Sequence, residues 1–146
     1  MNLSRLLLAA LLCLAVAGTA VAATSDPKNG TYKGRTGQVN PKTGKKYVMT
    51  FKISKGKISN VFTYTRDKCP DGSFLRVKQN AFKSAVLDSK GRFTLRAGTT
   101  EQPAVMKGRV IGSKESGTIT DKTFDPPPTQ TGLCKASTTW TAKLVK

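Results

Sequence analysis

Histidine is absent from all 146 residues. That removes the usual imidazole base, the Ser-His-Asp arrangement and the commonest zinc ligand. Acids are scarce: eight Asp and Glu stand against 25 Lys and Arg, a formal net charge of +17. The acids are also scattered. Asp67 and Asp71 flank a turn, and Asp121 and Asp125 flank Phe124, without the spacing of a calcium loop. A carboxylate pair can act on a glycosidic bond, but two acids bracketing a turn or strand end are ordinarily turn formers and solubilisers. No phosphate-binding glycine loop or dinucleotide pattern occurs. Ser54-Lys55-Gly56-Lys57 and Lys42-Thr43-Gly44 match two marks of penicillin-binding enzymes, yet the Ser-Asn element is missing and the order is reversed. These absences predict a protein that is not an enzyme, with no catalytic residue, no cofactor and no metal.

The chain opens on an address. Arg5 is followed by the apolar run LLLAALLCLAVAG (6–18) and by the A-x-A signal Ala20-Val21-Ala22. The run is shorter than the roughly 20 residues that cross a bilayer as a helix, so residues 1–23 read as a cleaved signal peptide and the protein as secreted. Removal takes one cation and no acid, and leaves one domain's length of strongly basic chain with no further apolar segment long enough to span a membrane. Of the three cysteines, Cys13 leaves with the signal. Cys69 and Cys134, an even pair in an oxidising compartment, are expected to form one disulfide. Its chain-entropy contribution is about 4 kcal/mol.

Beyond residue 23 the chain has no sustained helical period. Residues 24–29 read as a mobile polar lead, and 30–146 as a single β-domain. The stretch KYVMTFKISKGKISNVFTYT (46–65) organises it. Tyr47, Met49, Phe51 and Ile53 alternate with Val48, Thr50, Lys52 and Ser54, the period of a half-buried strand. Lys55-Gly56-Lys57 turns the chain, and Ile58, Phe62 and Tyr64 resume the apolar parity with Asn60 as the one break. Tyr32 marks an earlier strand. Phe93, Leu95 and Ala97, then Met106, Gly108 and Val110, then Ile119, and finally Trp140, Ala142 and Leu144 mark the inward sides of later ones. Residues 73–78 are a further candidate strand, with Phe74 expected in the core. Residues 79–88 fit no single pattern. Asp125-Pro126-Pro127-Pro128 is rigid and cannot continue a ladder. The expected fold is all-β: an antiparallel meander of about eight strands, closed as a barrel or folded as a sandwich, with one disulfide.

In order along the chain stand GTYKGRT (30–36), FKISKGKISNVF (51–62), Cys69-Pro70-Asp71-Gly72, Lys90-Gly91-Arg92-Phe93, and Cys134 followed by Trp140-Thr141-Ala142. By these motifs, and by their order above all, the mature chain resembles an uncharacterised family of small secreted bacterial β-domains of actinobacterial type. The likeness covers most of residues 30–143. It implies a secreted, disulfide-stapled β-domain and carries no activity.

The charge asks for a partner. Basic residues recur two apart at Lys33/Arg35, Arg76/Lys78, Arg92/Arg96 with Thr94 between, and Lys107/Arg109, a spacing that puts both members on one face of a strand. If the strands at 92–97 and 104–111 pair, four cations share an outer face, and a counter-anion would relieve their repulsion. The candidate polyanion-binding residues are Arg92, Arg96, Lys107, Arg109, Arg76 and Lys78. The expected partner of a secreted monomer is an anionic cell-envelope polymer or an anionic lipid surface. Nucleic acid calls for aromatics among the cations, and Phe74 beside Arg76 and Lys78 is the one such hint. Three other readings stand beside this one: lysines that only blunt sheet edges and aid solubility, a barrel holding a small apolar ligand, and a proline-rich loop presented to a partner.

Overall fold

The computed structural model describes residues 26–124 and 132–145. The expected signal peptide and the proline-rich stretch at 125–128 lie outside the described residues. Nine strands and no helix are present among them: β1 (Gly30–Val39), β2 (Lys46–Ser54), β3 (Lys57–Lys68), β4 (Phe74–Gln79), β5 (Ala85–Val86), β6 (Arg92–Gly98), β7 (Pro103–Ile111), β8 (Lys114–Phe124) and β9 (Leu133–Leu144). All pairings are antiparallel, in the order β4-β3-β2-β1-β9-β8-β7-β6, with β5 on β3. Two meanders, β1–β4 and β6–β9, are thus joined along the seam between β1 and β9.

The seam makes the fold a barrel rather than an open sandwich. β9 pairs β1 from Tyr32↔Leu144 to Thr36↔Trp140, and it meets β3 again at Lys68↔Lys135. β1, β2, β3 and β9 therefore close on one another, and the remaining strands extend from this ring. The second contact is a single residue pair. Beside it the predicted disulfide joins Cys69, one residue beyond β3, to Cys134 near the start of β9. The covalent bond holds the ring where its hydrogen bonding is thinnest.

The core follows the predicted parity in most strands. Tyr32, Met49, Phe51, Ile53, Ile58, Leu95, Met106, Ile119 and Trp140 are all buried. Tyr32 stacks on Phe51 at 5.4 Å, and Trp140 meets Phe51 at 5.8 Å and Phe93 at 6.0 Å. The Trp140 ring needs room, and glycines give it. Phe93, Gly108, Gly117 and Trp140 lie in one cross-strand row. A Cβ on Gly108 would stand 2.5 Å from the indole, and one on Gly117 would stand 2.8 Å from it. Both glycines are floor for the indole. Large side chains pack this centre.

Two expectations fail in β3 and β4. Lys52 faces Ser59, but Thr50 faces Phe62, so β3 carries one residue more than β2 between these rungs. The surplus is accommodated at Asn60, whose φ of 53° lies in the left-handed region that asparagine tolerates. The bulge reverses the parity. Val61, Thr63, Thr65 and Asp67 turn inward, while Phe62, expected in the core, is 37% exposed, and Tyr64 is partly exposed on the outer side. Phe74, also expected inside, is 50% exposed. In place of a core contact it has the Arg66 guanidinium 3.7 Å above its ring.

Because the disulfide guards the single-pair closure of the ring, Cys69→Ser with Cys134→Ser should cost about 4 kcal/mol of unfolding free energy. Denaturant titration of the oxidised and variant proteins measures it. Equal midpoints would show that the closure does not depend on the bond.

Candidate functional site

Regular alternation puts nearly every cation on the outer side of the barrel. The pairing of β6 with β7 does gather Arg92, Arg96, Lys107 and Arg109 on one outer face, with Arg92 directly opposite Arg109. Their neighbours decide how free they are. Arg92 is bound to Asp88, with Nε 2.8 Å from Oδ2, and Arg109 Nε donates to the carbonyl of Lys90 at 3.0 Å. The Arg92 backbone N–H, then its guanidinium, hold the Asp88 carboxyl below its ordinary range. Arg96 and Lys107 are exposed, around a shallow hollow completed by Val105, Thr118 and Thr120. Arg76 and Lys78 are elsewhere. They lie on β4, at the other end of the strand order, over the rings of Tyr64 and Phe62. The six predicted residues form two groups.

A further concentration of positive charge lies between them in the strand order, and of its residues only Arg109 is among the six predicted. Lys33 on β1 faces Lys143 on β9, and Lys143 faces Lys114 on β8. Three ammonium-bearing chains thus leave adjacent strands, which are spaced about 4.8 Å apart. The next row runs Arg35, Thr141, Ser116, Arg109. Together these residues line a surface groove of about 830 Å³. The hydroxyls of Thr141 and Ser116 stand between the two arginines as neutral hydrogen-bonding groups. Arg35 is steadied from below by donating to the Lys46 carbonyl at 3.2 Å. Lys33, Arg35 and Lys143 could be read as outward from sequence alternation alone. Their convergence required knowing that the first and last strands pair.

Few carboxylates answer this charge. Arg92–Asp88 is the one ion pair among the described residues. Three of the acids, Asp67, Glu115 and Asp121, point into the barrel and are buried. Glu115 lies under the lysine groove with no hydrogen-bond partner for either carboxylate oxygen. Burial pushes it up to about 8. Asp67 is pushed up to about 7, first by burial and then by the neighbouring carboxyl of Asp121. Asp121 in turn accepts from the Gln79 amide and from the Thr65 and Thr123 hydroxyls. All three acids point away from the outer cations, and the raised values of Asp67 and Glu115 weaken their negative charge near neutral pH.

What the groove offers is an array of donors and fixed positive charge, suited to phosphate, sulfate or carboxylate oxygens along a polymer. No three metal-ligating acids, cysteines or histidines gather among the described residues. No helix among them is long and apolar enough to cross a membrane. Compared with known proteins, the chain matches no family model, no curated protein and no solved structure.

The interior acids give stability a pH dependence with a defined sign. Folding raises the pKa of Asp67 and Glu115, so the folded chain binds more protons than the unfolded chain across the interval between the two states. The stabilisation is complete below the unfolded values near 4 and is lost as pH rises toward about 7 for Asp67 and about 8 for Glu115. Each group should weaken the folding constant by up to about tenfold per pH unit in its window. The melting temperature should therefore fall from pH 5 to pH 8, and Glu115→Gln should flatten the upper part of that slope. A melting temperature that rises with pH would contradict these assignments.

Proposed function

We propose that this is an exported, non-enzymatic domain that binds an anionic polymer of the cell envelope through the outer face of β1, β9, β8 and β7. The observation that carries the reading is the row Lys33–Lys143–Lys114, like charges in register on three neighbouring strands with no ion pair to any of them among the described residues. Adjacent like charges oppose sheet pairing by a few tenths of a kcal/mol or more. A polyanion would turn that repulsion into attraction and release its own counterions on binding. The resemblance to secreted β-domains and the disulfide agree with an extracytoplasmic site of action. Arg96 and Lys107 extend the same positive surface toward β6. Arg92, already held by Asp88, contributes less than the sequence suggests.

Solubility alone accounts for scattered lysines, but scattered lysines repel one another least when they avoid facing pairs. The triad does the opposite.

Retention of the oxidised mature protein on isolated envelope, followed across a salt series, tests the proposal, with soluble polyphosphate as a defined probe. Binding should weaken steeply between about 50 and 200 mM salt. Changing Lys33, Lys114 and Lys143 to Gln should lower the slope of log affinity against log salt by roughly two to three, leaving the fold intact. Changing Lys42, Lys55 and Lys83 instead should alter it far less. Equal losses from both sets would reduce the groove to general charge, and no retention even at low salt would overturn the reading.

A further inference from the structure

The outer face of β3 and β4 is built differently from the lysine groove. Directly facing pairs there are Lys68↔Phe74, Arg66↔Arg76 and Tyr64↔Lys78. The contacts, however, run along the diagonals. Arg66 lies over Phe74 at 3.7 Å, Arg76 over Tyr64 at 3.7 Å, and Lys78 toward Phe62 at 5.7 Å. Each cation reaches the ring displaced by two residues from its direct partner. The three pairs therefore repeat at every second residue, a step of about 6.8 Å along the strand. Right-handed twist brings one set of diagonals together, and aromatic or long side chains span it.

The result is a ladder in which rings and cations alternate. The rings also touch one another: Phe62 meets Tyr64 edge-on at 5.5 Å, and Tyr64 lies 6.0 Å from Tyr47. Gln38 fixes the ladder at Arg66, accepting from its N–H at 2.9 Å and donating to its carbonyl at 2.8 Å. The site is preorganised. β4 ends the strand order, so the ladder runs out to an open sheet edge. The one acid within this stretch of β3, Asp67, points inward.

We infer that this ladder is a binding surface for single-stranded nucleic acid, with unpaired bases stacking on the rings and guanidinium planes and phosphates meeting Arg66, Arg76 and Lys78. Aromatic platforms and arginine planes accept any base face, and a cationic track follows the backbone. A duplex hides its base faces inside the stack, and an inorganic polyanion has none to offer. Alternation is the discriminating feature: a surface meant only for phosphates gains nothing from Phe62, Tyr64 and Phe74. The inference goes beyond the envelope-binding reading, since it concerns another face and does not depend on the lysine triad.

Labelled oligothymidylate, a duplex of the same length and polyphosphate of matched charge, each titrated against the unmodified oxidised protein at physiological salt, give the first test. The single strand should bind at least about tenfold more tightly than either competitor, because stacking adds to charge. Equal affinities would overturn the inference whatever becomes of the envelope reading. Tyr64→Ser with Phe74→Ser, checked for native circular dichroism, should lose that preference while keeping polyphosphate affinity. A folded double variant that binds the oligonucleotide unchanged would also overturn it. So would loss of the preference in a Lys33→Gln, Lys114→Gln, Lys143→Gln protein whose ladder is intact.

Discussion

Trp140 lying across Gly117 and Gly108 sets the register on which the rest of this barrel depends. A side chain at either glycine would collide with the indole or with neighbouring backbone: a Cβ on Gly117 would stand 1.9 Å from the Lys107 carbonyl oxygen. A slip of one residue between β7, β8 and β9 would put the indole on Ser116 or Thr118 and turn every side chain of the slipped strand to the wrong face. With that register fixed, the outer rows have no freedom. Lys114 must face Lys143, and through the β1–β9 seam Lys143 must face Lys33. The positive groove is thus a consequence of how the interior packs. Its repulsion is tolerated because the interior, the seam and the disulfide together outweigh a few tenths of a kcal/mol per facing pair.

The bulge at Asn60 is the second constraint, and it shapes both sides of β3 at once. By adding one residue it sends Thr63, Thr65 and Asp67 into the barrel, where Thr65 and Gln79 meet Asp121. The same step sends Phe62 and Tyr64 out, under Lys78 and Arg76. An uninterrupted strand would have buried the rings and exposed the acid. One backbone feature therefore yields a polar pocket inside and an aromatic–cation ladder outside. Cation–ring contacts at exposed positions are individually worth about 0.5–1 kcal/mol, so the ladder also steadies a short terminal strand.

Much of this was legible in the residues. Alternation at Tyr47–Ile53, Phe93–Ala97, Met106–Val110 and Trp140–Leu144 marks strands and their inward sides, and the cysteine pair marks the staple. Two kinds of information were not. The first is parity across a bulge: Asn60 interrupts the apolar alternation, but the same letters fit an unbroken strand with one polar core position as well as a strand with one extra residue. The second is the partner of each strand. Lys33 and Lys143 lie at opposite ends of the domain's sequence, and their adjacency exists only once the barrel closes. Arg92, Arg96, Lys107 and Arg109 were within reach because a short connection makes their strands neighbours. Arg92's commitment to Asp88 depends on loop geometry that composition does not carry. Residues 79–88 resisted reading because β5 is only two residues long and Phe82 is anchored outside any strand.

The register of the barrel brings three lysines face to face, and the proposed polyanion binding should concentrate there rather than spread over a basic surface. Lysine side-chain resonances of the oxidised mature protein, followed during titration with polyphosphate, test this residue by residue. Shifts at Lys33, Lys114 and Lys143 that move together and saturate, with Lys42 and Lys55 at the turns largely unmoved, are the predicted result. Uniform small shifts across all the lysines would overturn the proposal, because the anion would then be responding to net charge and not to the groove.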